Sequence, residues 1–430
     1  MKINVLTQLR EVIEAALSGQ ANLRKSFRNF FIGTMILHIV MRGRINYTSM
    51  ARAGDSCESR YRQNYRRTFD WLGYNTQFAA GMLAQRIAIA IDPSYIDKSG
   101  KKTPGLSYFW SGCAKMAKWG LEILGIAVVN ADTKEAVHLK AVQTFKGRSR
   151  KGRRPAFFKY LKKSDGLVGR YLEALYMDAN RFLEITRLIV ADSYFANGPF
   201  VKGLGTMGFD LISRLHDNAR MRYLYTGPQH QGKGRPRKFA GRVDLDSLSP
   251  EVFSCEMAEG DNGKPVVMHA GEVWVDCLDR ICKVVIVDYL DPNKKKQTRK
   301  VYFSTDRTLC ARDIFDLYRT RFQIEFLYRS GKGLTGLTHC QARNEQALDF
   351  AFNMSLSSIN VMRHFAAMYG YDHLSDASIK MLAHNAFMLE RFISISGSPR
   401  NCEKMTLFSK NYYSTASGTL LDFYNFNVLL

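Results

Sequence analysis

Two apolar runs that each end on an aspartate constrain this chain more than anything else in it. "RIAIAID" (86 to 92) and "RLIVADSYF" (187 to 195) carry nothing polar between their leading arginines and Asp92 or Asp192. Each reads as a strand. "LEILGIAVVN" (121 to 130), "AVHLKAVQTF" (136 to 145) and "FDLISRL" (209 to 215) supply further strands, while "LVGRYLEALYMDANRFLE" (167 to 184) has helical spacing. Three strands, a helix, a strand, a short helix and a strand make an α/β order, with Asp92 closing the first strand and Asp192 the fourth.

Other segments flank that core. Residues 1 to 82 read as all helical, and the apolar stretch "FFIGTMILHIV" (30 to 40) is too short to span a bilayer. With an amphipathic N-terminus in place of a signal peptide, a cytoplasmic protein is expected. Between residues 47 and 71 a short helix, a turn at Gly54-Asp55 and a longer helix carry Arg62 and Arg66 outside a Tyr61, Tyr65 and Phe69 stripe. That is either a helix-turn-helix reading DNA or a helical hairpin. Residues 216 to 308 break into short strands, as a β-rich insertion would. The α/β layer resumes over 309 to 370, and 371 to 430 form a helical or irregular tail.

The 430 residues carry a formal charge of +23, concentrated in "KGRSRKGRRP" (146 to 155), "GKGRPRK" (232 to 238) and "KKKQTRK" (294 to 300). One such run is an ordinary solvated loop. Three beside aromatic-rich segments favour a polyanion, above all nucleic acid. Arg148, Arg150, Lys151, Arg153 and Arg154 of the first run are candidate DNA contacts. Arg235, Arg237 and Lys238 of the second form a minor-groove hook or a solvated loop. Trp274 stacks on an unpaired base or fills a core. The eight cysteines show no CxxC pair and the nine histidines no HxH, so zinc is not indicated and the thiols read as reduced and mostly buried.

"YRTRFQIEFLYRSGK" (318 to 332) reads as one amphipathic helix whose Tyr318, Arg321, Glu325 and Lys332 fall within an arc of roughly 60°. Arg321 and Glu325 make an ordinary ion pair at i,i+4, or Glu325 turns inward to join Asp92 and Asp192. Three convergent carboxylates need a cation between them, and hard oxygen donors suit Mg²⁺ or Mn²⁺. Two such ions would serve phosphoryl transfer. Arg321 and Lys332 would then clamp phosphate, with Tyr318 near the cleaved strand. Asp97 competes with Asp92 as first ligand, but Pro93 and Ser94 suggest that Asp97 is already in a loop.

Tyr318, Arg321, Glu325 and Lys332 match the Y-(2)-R-(3)-E-(6)-K signature, and with the two strand-end aspartates the chain resembles insertion-sequence transposases of the IS4 type, a DDE group. The stretch following Asp92, "VADSYF", and "SRLHDNARMRYLYTGPQHQGKGRPRK" are also similar, so that the resemblance covers about residues 86 to 345. It implies an RNase H-like catalytic core, a mixed sheet flanked by helices, with the β-rich insertion between the second Asp and the Glu. It further implies a bacterial, nucleoid-associated cut-and-paste transposase acting as a homodimer on double-stranded inverted-repeat ends and target DNA. Asp92, Asp192 and Glu325 would hold two ions, and Tyr318, Arg321 and Lys332 the transposon end. The rivals are an RNase H-like nuclease without strand transfer and a catalytically silent DNA-binding protein.

Overall fold

The computed structural model describes residues 5–20, 23–146, 166–229, 235–260, 263–290 and 298–396. Helices α1 (Val5–Ser18), α2 (Lys25–Val40), α3 (Tyr47–Ala53), α4 (Glu58–Asn64) and α5 (Trp71–Ala79) precede the strands. Then come β1 (Ile87–Asp97), β2 (Ser107–Ser111), β3 (Met116–Asn130), β4 (Glu135–Thr144), α6 (Gly166–Tyr176), α7 (Ala179–Leu183), β5 (Leu188–Val190), α8 (Gly198–Thr206) and β6 (Asp210–Arg214). β7 (Met221–Leu224), β8 (Phe239–Arg242), β9 (Ser254–Glu259), β10 (Pro265–Val275), β11 (Arg280–Tyr289) and β12 (Thr298–Ser304) follow. The described chain closes with α9 (Ala311–Thr320), α10 (Gln323–Ser330), α11 (Glu345–Tyr369) and α12 (Asp376–Ser396). None of these helices is long and apolar enough to cross a membrane.

β3 pairs antiparallel with both β1 and β4, while β5 lies parallel between β1 and β6. The order β4-β3-β1-β5-β6, with β3 alone reversed, is the RNase H-like arrangement. Strand alternation sorts β1 onto two cores: Ala88, Ala90 and Ile96 face one, and Ile87, Ile89 and Ile91 the other. Val190 and Ile212 join the first, Ile189 and Leu211 the second. Residues of α9, α10 and α11 fill the first core, and residues of α6 and α8 fill the second, so the sheet is the middle of three layers.

The strands of 216 to 308 do not form a sheet of their own. Tyr302, Phe303 and Ser304 of β12 pair with Arg214, Ser213 and Ile212 of β6, and the order runs on through β11, β10, β7 and β8. The long second helix expected after Gly54 stops at Asn64, and the Asp70 carboxylate starts α5 by accepting the Gly73 N–H at 3.1 Å. Tyr61 and Tyr65 are buried, and the Tyr65 hydroxyl meets His38 Nε2 at 2.9 Å. The cysteines also depart from expectation, since Cys57, Cys113, Cys255, Cys277 and Cys310 are exposed and only Cys282 is buried among those described.

α11 does more than cover the sheet. The Asn360 amide accepts the His138 N–H at 3.0 Å and donates to the His138 carbonyl at 2.8 Å. Asn353 does the same to Ala141, at 2.7 and 3.0 Å. Two side-chain amides thus stand in for a neighbouring strand and satisfy the outer edge of β4.

Candidate active site

Asp92 and Asp192 lie level with one another. In the parallel pairing Ala90 sits opposite Val190, and each aspartate is two residues further on. Two residues preserve the face, so both carboxylates continue the side that Ala90 and Val190 present to α9 and α10. Asp192 lies past the end of β5, where its carboxylate accepts the Tyr194 N–H at 3.0 Å and its carbonyl accepts the Ser213 hydroxyl at 2.8 Å.

β1 continues through Pro93 and Ser94 to Asp97, paired with β3 throughout, so Asp97 is not in a loop. β5 meets β1 only at Ile89 and Ala90, which leaves the other edge of Pro93 without a ladder partner to donate to. An odd separation puts Asp97 on the opposite face from Asp92, where it accepts the Tyr95 hydroxyl at 3.0 Å. Alternation thus favours Asp92 for the site more firmly than the proline did.

The stretch from 318 to 332 is not one regular α-helix. α9 ends at Thr320, the backbone tightens to i→i−3 bonds from Arg321 to Tyr318 and from Phe322 to Arg319, and α10 ends in a π turn over Gly331–Thr335. Arg321 still reaches two acidic groups: Nη1 lies 3.5 Å from Asp92 Oδ1 and Nη2 lies 3.1 Å from Glu325 Oε1. The i,i+4 pair is therefore present, and through Arg321 it is linked to Asp92, while the Glu325 side chain stays 39% exposed. Its Nε is buried with no partner among the described residues. Lys332 Nζ donates to Ser94 Oγ at 2.9 Å, two residues along β1 from Asp92 on the same face. Tyr318 packs its ring on Tyr302, centroids 4.8 Å apart, with the Arg321 guanidinium 6.0 Å away.

Charge and burial work against each other here. Burial pushes the Asp92 carboxyl up to about 7, with Arg321 pulling it back and Asp192 and Glu325 adding to the rise. Asp192 is also raised by burial, against Arg321. Burial opposes the Arg321 charge, but Asp92, Tyr318, Glu325 and Asp192 outweigh it and raise its pKa. Burial lowers Lys332, opposed by Cys113 and Asp92.

Among the described residues no three His, Cys, Asp or Glu side chains are gathered closely enough to hold a metal ion. The donor chemistry nonetheless fits a hard divalent cation: Asp92, Asp192 and Glu325 offer carboxylate oxygens near enough to act on the Asp92 charge, with Arg321 between Asp92 and Glu325.

Sequence reasoning missed three supports. The Tyr328 hydroxyl donates to the Asp92 carbonyl and accepts the Gly125 N–H at 2.9 Å. A Cβ on Gly125 would stand 2.1 Å from that hydroxyl, so glycine is required. Ser94 was discernible from period-two spacing and Tyr328 from its place three residues after Glu325. The contact with Gly125 had no local signal.

The other candidates lie elsewhere. Arg62 is exposed and tied to Glu58, and Arg66 is exposed. Arg235, Arg237 and Lys238 are exposed, and Arg237 bonds its Nε to the Phe239 carbonyl at 3.1 Å and lies 4.5 Å from the Tyr225 ring. They adjoin β8, with six strands between it and β1 in the sheet order. Trp274, half-buried on β10, packs against Phe239 at 5.4 Å. Arg148, Arg150, Lys151, Arg153 and Arg154 fall outside the described residues.

A carboxylate pair at level strand positions, with a third acid on the helix packed across them, is an arrangement compatible with metal-assisted phosphoryl transfer. Residues 39–258 match the family described as DDE superfamily endonuclease, and the chain belongs to that family. A second family, the transposase DDE domain, matches residues 172–361, so Asp192 lies in both matches while Asp92 falls in the first and Glu325 in the second. No curated protein sequence matches the chain. A piggyBac transposase, solved by cryo-EM as a synaptic complex with hairpin DNA, aligns with 12% identity and a TM-score of 0.37 over 96% of this chain and 83% of that one.

Proposed function

We propose that the protein is a DDE transposase of the IS4 type, which binds the inverted-repeat ends of its element as a dimer, cleaves there, and joins the ends to target DNA. The observation that carries this reading is the level placement of Asp92 and Asp192 beneath Arg321 and Glu325. Asp92, Asp192 and Glu325 would hold Mg²⁺ or Mn²⁺, two ions, which when bound supply Lewis acidity to a phosphodiester and an activated oxygen nucleophile. Arg321, with its unpartnered Nε, and Lys332 hold the scissile phosphate. Tyr328 fixes the backbone of Asp92 against β3, so the carboxylate is positioned before DNA arrives. Tyr318 orients Arg321. Arg62 and Arg66, the 148 to 154 run, Arg235 to Lys238 and Trp274 contribute the wider DNA grip. The nucleoid of a bacterial cytoplasm is where such a reaction takes place.

The test is a strand-transfer assay with end-containing duplex and Mg²⁺. Wild-type protein should nick the ends and join them to target, and Asp92→Asn should bind ends without nicking them. Nicking without joining would mean a nuclease, and full activity in Asp92→Asn would remove that residue from the site.

A further inference from the structure

A second site is built around the first part of the catalytic sheet. A cleft of about 1200 Å³ opens between α3, α4, the loop after β1 and residues 336 to 344. Arg44, Arg66, Lys101, Lys102 and Arg343 line it, and Asp97 is the sole carboxylate among its lining residues. Each of those five cations is solvent-exposed.

An aromatic surface borders this cleft. Tyr108 on β2 is paired with Trp119 on β3, and Trp110 with Ala117, so Tyr108, Trp110 and Trp119 share one face of the hairpin. They are 59%, 65% and 42% exposed, where large apolar rings ordinarily find cover. The Tyr108 and Trp119 rings meet at 5.4 Å, and Trp119 Nε1 donates to the Gly100 carbonyl at 3.3 Å, next to Lys101 in the cleft wall. Trp119 adjoins Gly120, which pairs with Asp97 on the strand that carries Asp92, and alternation puts Trp119 on the Asp92 face of the sheet.

Rings that present open faces beside exposed cations with no acidic partner among the described residues are suited to stacked bases and a tracked backbone, not to the closed edges of a duplex. We propose that the Tyr108, Trp110 and Trp119 face, with the Lys101 and Lys102 wall of the cleft, binds an unpaired stretch of DNA strand beside the catalytic site. This rests on the reading of the protein as a DNA-processing enzyme and adds to it the strand form that the enzyme holds.

The experiment titrates the full chain with oligothymidylate and, separately, with duplex of equal length, following tryptophan emission and anisotropy. Oligothymidylate should quench emission, and Trp110→Ala should weaken its binding about tenfold, the loss expected for one stacked base, while duplex binding stays within about twofold. Lys101→Ala with Lys102→Ala should lower the salt slope for the single strand by about 1.4, at about 0.7 per phosphate contact. Trp110 is exposed enough that its loss should leave the melting temperature unchanged, and Tyr108→Ala repeats the test at a neighbouring ring. Equal weakening on both DNA forms, unchanged oligothymidylate binding, or conversion of a dimer to monomer by Trp110→Ala would each overturn the proposal. Persistent end cleavage alongside such a result would leave the transposase reading standing, whereas absent cleavage with stacking intact would sink that reading alone.

Discussion

The Arg321 guanidinium stands 3.5 Å from the Asp92 carboxylate, although one belongs to the turn between two helices and the other to the central strand. With its second nitrogen on Glu325, Arg321 offsets a cluster of acids whose mutual repulsion would otherwise be paid in stability.

Arg321→Ala should therefore destabilise the protein by about 1–3 kcal/mol in chelator, since an unpaired charge is left in a half-buried site. Mg²⁺ should then raise the melting temperature of the variant more than that of wild type. Calorimetry with and without Mg²⁺ measures this, and equal shifts would show that Arg321 and the cation do not share a role.

Tyr328→Phe removes a hydroxyl that serves both the Asp92 carbonyl and the Gly125 N–H. Two buried backbone groups lose their partner, at about 1–3 kcal/mol each. Urea unfolding should give a loss of about 2–6 kcal/mol for the pair, together with slower end cleavage at unchanged DNA affinity.

Gly125→Ala should be harsher, because its methyl and the Tyr328 ring compete for the same space, with the nearest ring carbon 2.8 Å away. α10 must retreat from the sheet and carry Glu325 with it. A displacement of about 1 Å can cost about a hundredfold in rate. Single-turnover cleavage should show that loss while gel-shift binding persists.

Buried His38 and His138 should make stability fall in mild acid. Burial lowers His38 to about 4 and His138 to about 3, below the ordinary 6.5 of an unfolded chain. The unfolded state then binds more protons below pH 6.5, so their contribution is complete above that value and declines as pH drops toward 4 and then 3. At pH 5 each has lost about 2 kcal/mol. Asp92, raised instead, works with the opposite sign below pH 7. Denaturation between pH 7 and 5 should show a net loss, and His138→Gln should reduce the slope.

End binding should weaken steeply with salt if phosphate contacts from the basic runs supply much of the affinity. Neutralising 148 to 154 should flatten the slope, measured as binding against salt concentration.

Much of the fold was legible because local patterns carried it. The apolar runs ending at Asp92 and Asp192 located both strands, but the loop expected at Pro93 and Ser94 is strand, and it is the alternation along β1 in the structure that puts Asp97 on the other face. Glu325 was visible as a carboxylate on an apolar flank. Local spacing failed where the chain departs from regular geometry without a marker, as at Arg321 and Phe322, which tighten the helix with neither glycine nor proline present. It failed again where pairing is distant. Strands 216 to 308 could be seen, but nothing near them in sequence reveals that β12 joins β6 and extends the core sheet. Gly125 and Tyr328 meet across 203 residues.

The two asparagines by which α11 completes β4 also set a timetable for synthesis. On a ribosome adding about 5–20 residues per second, β4 waits roughly 10–40 s before Asn353 and Asn360 emerge. α1 and α2 wait with it, because their apolar faces pack against the same late helix. A nascent chain thus exposes sticky surface for much of its production and calls for chaperone protection. The same delay keeps Glu325 away from the two aspartates until most of the polypeptide exists, so a prematurely terminated product would lack one of the three proposed metal-holding acids.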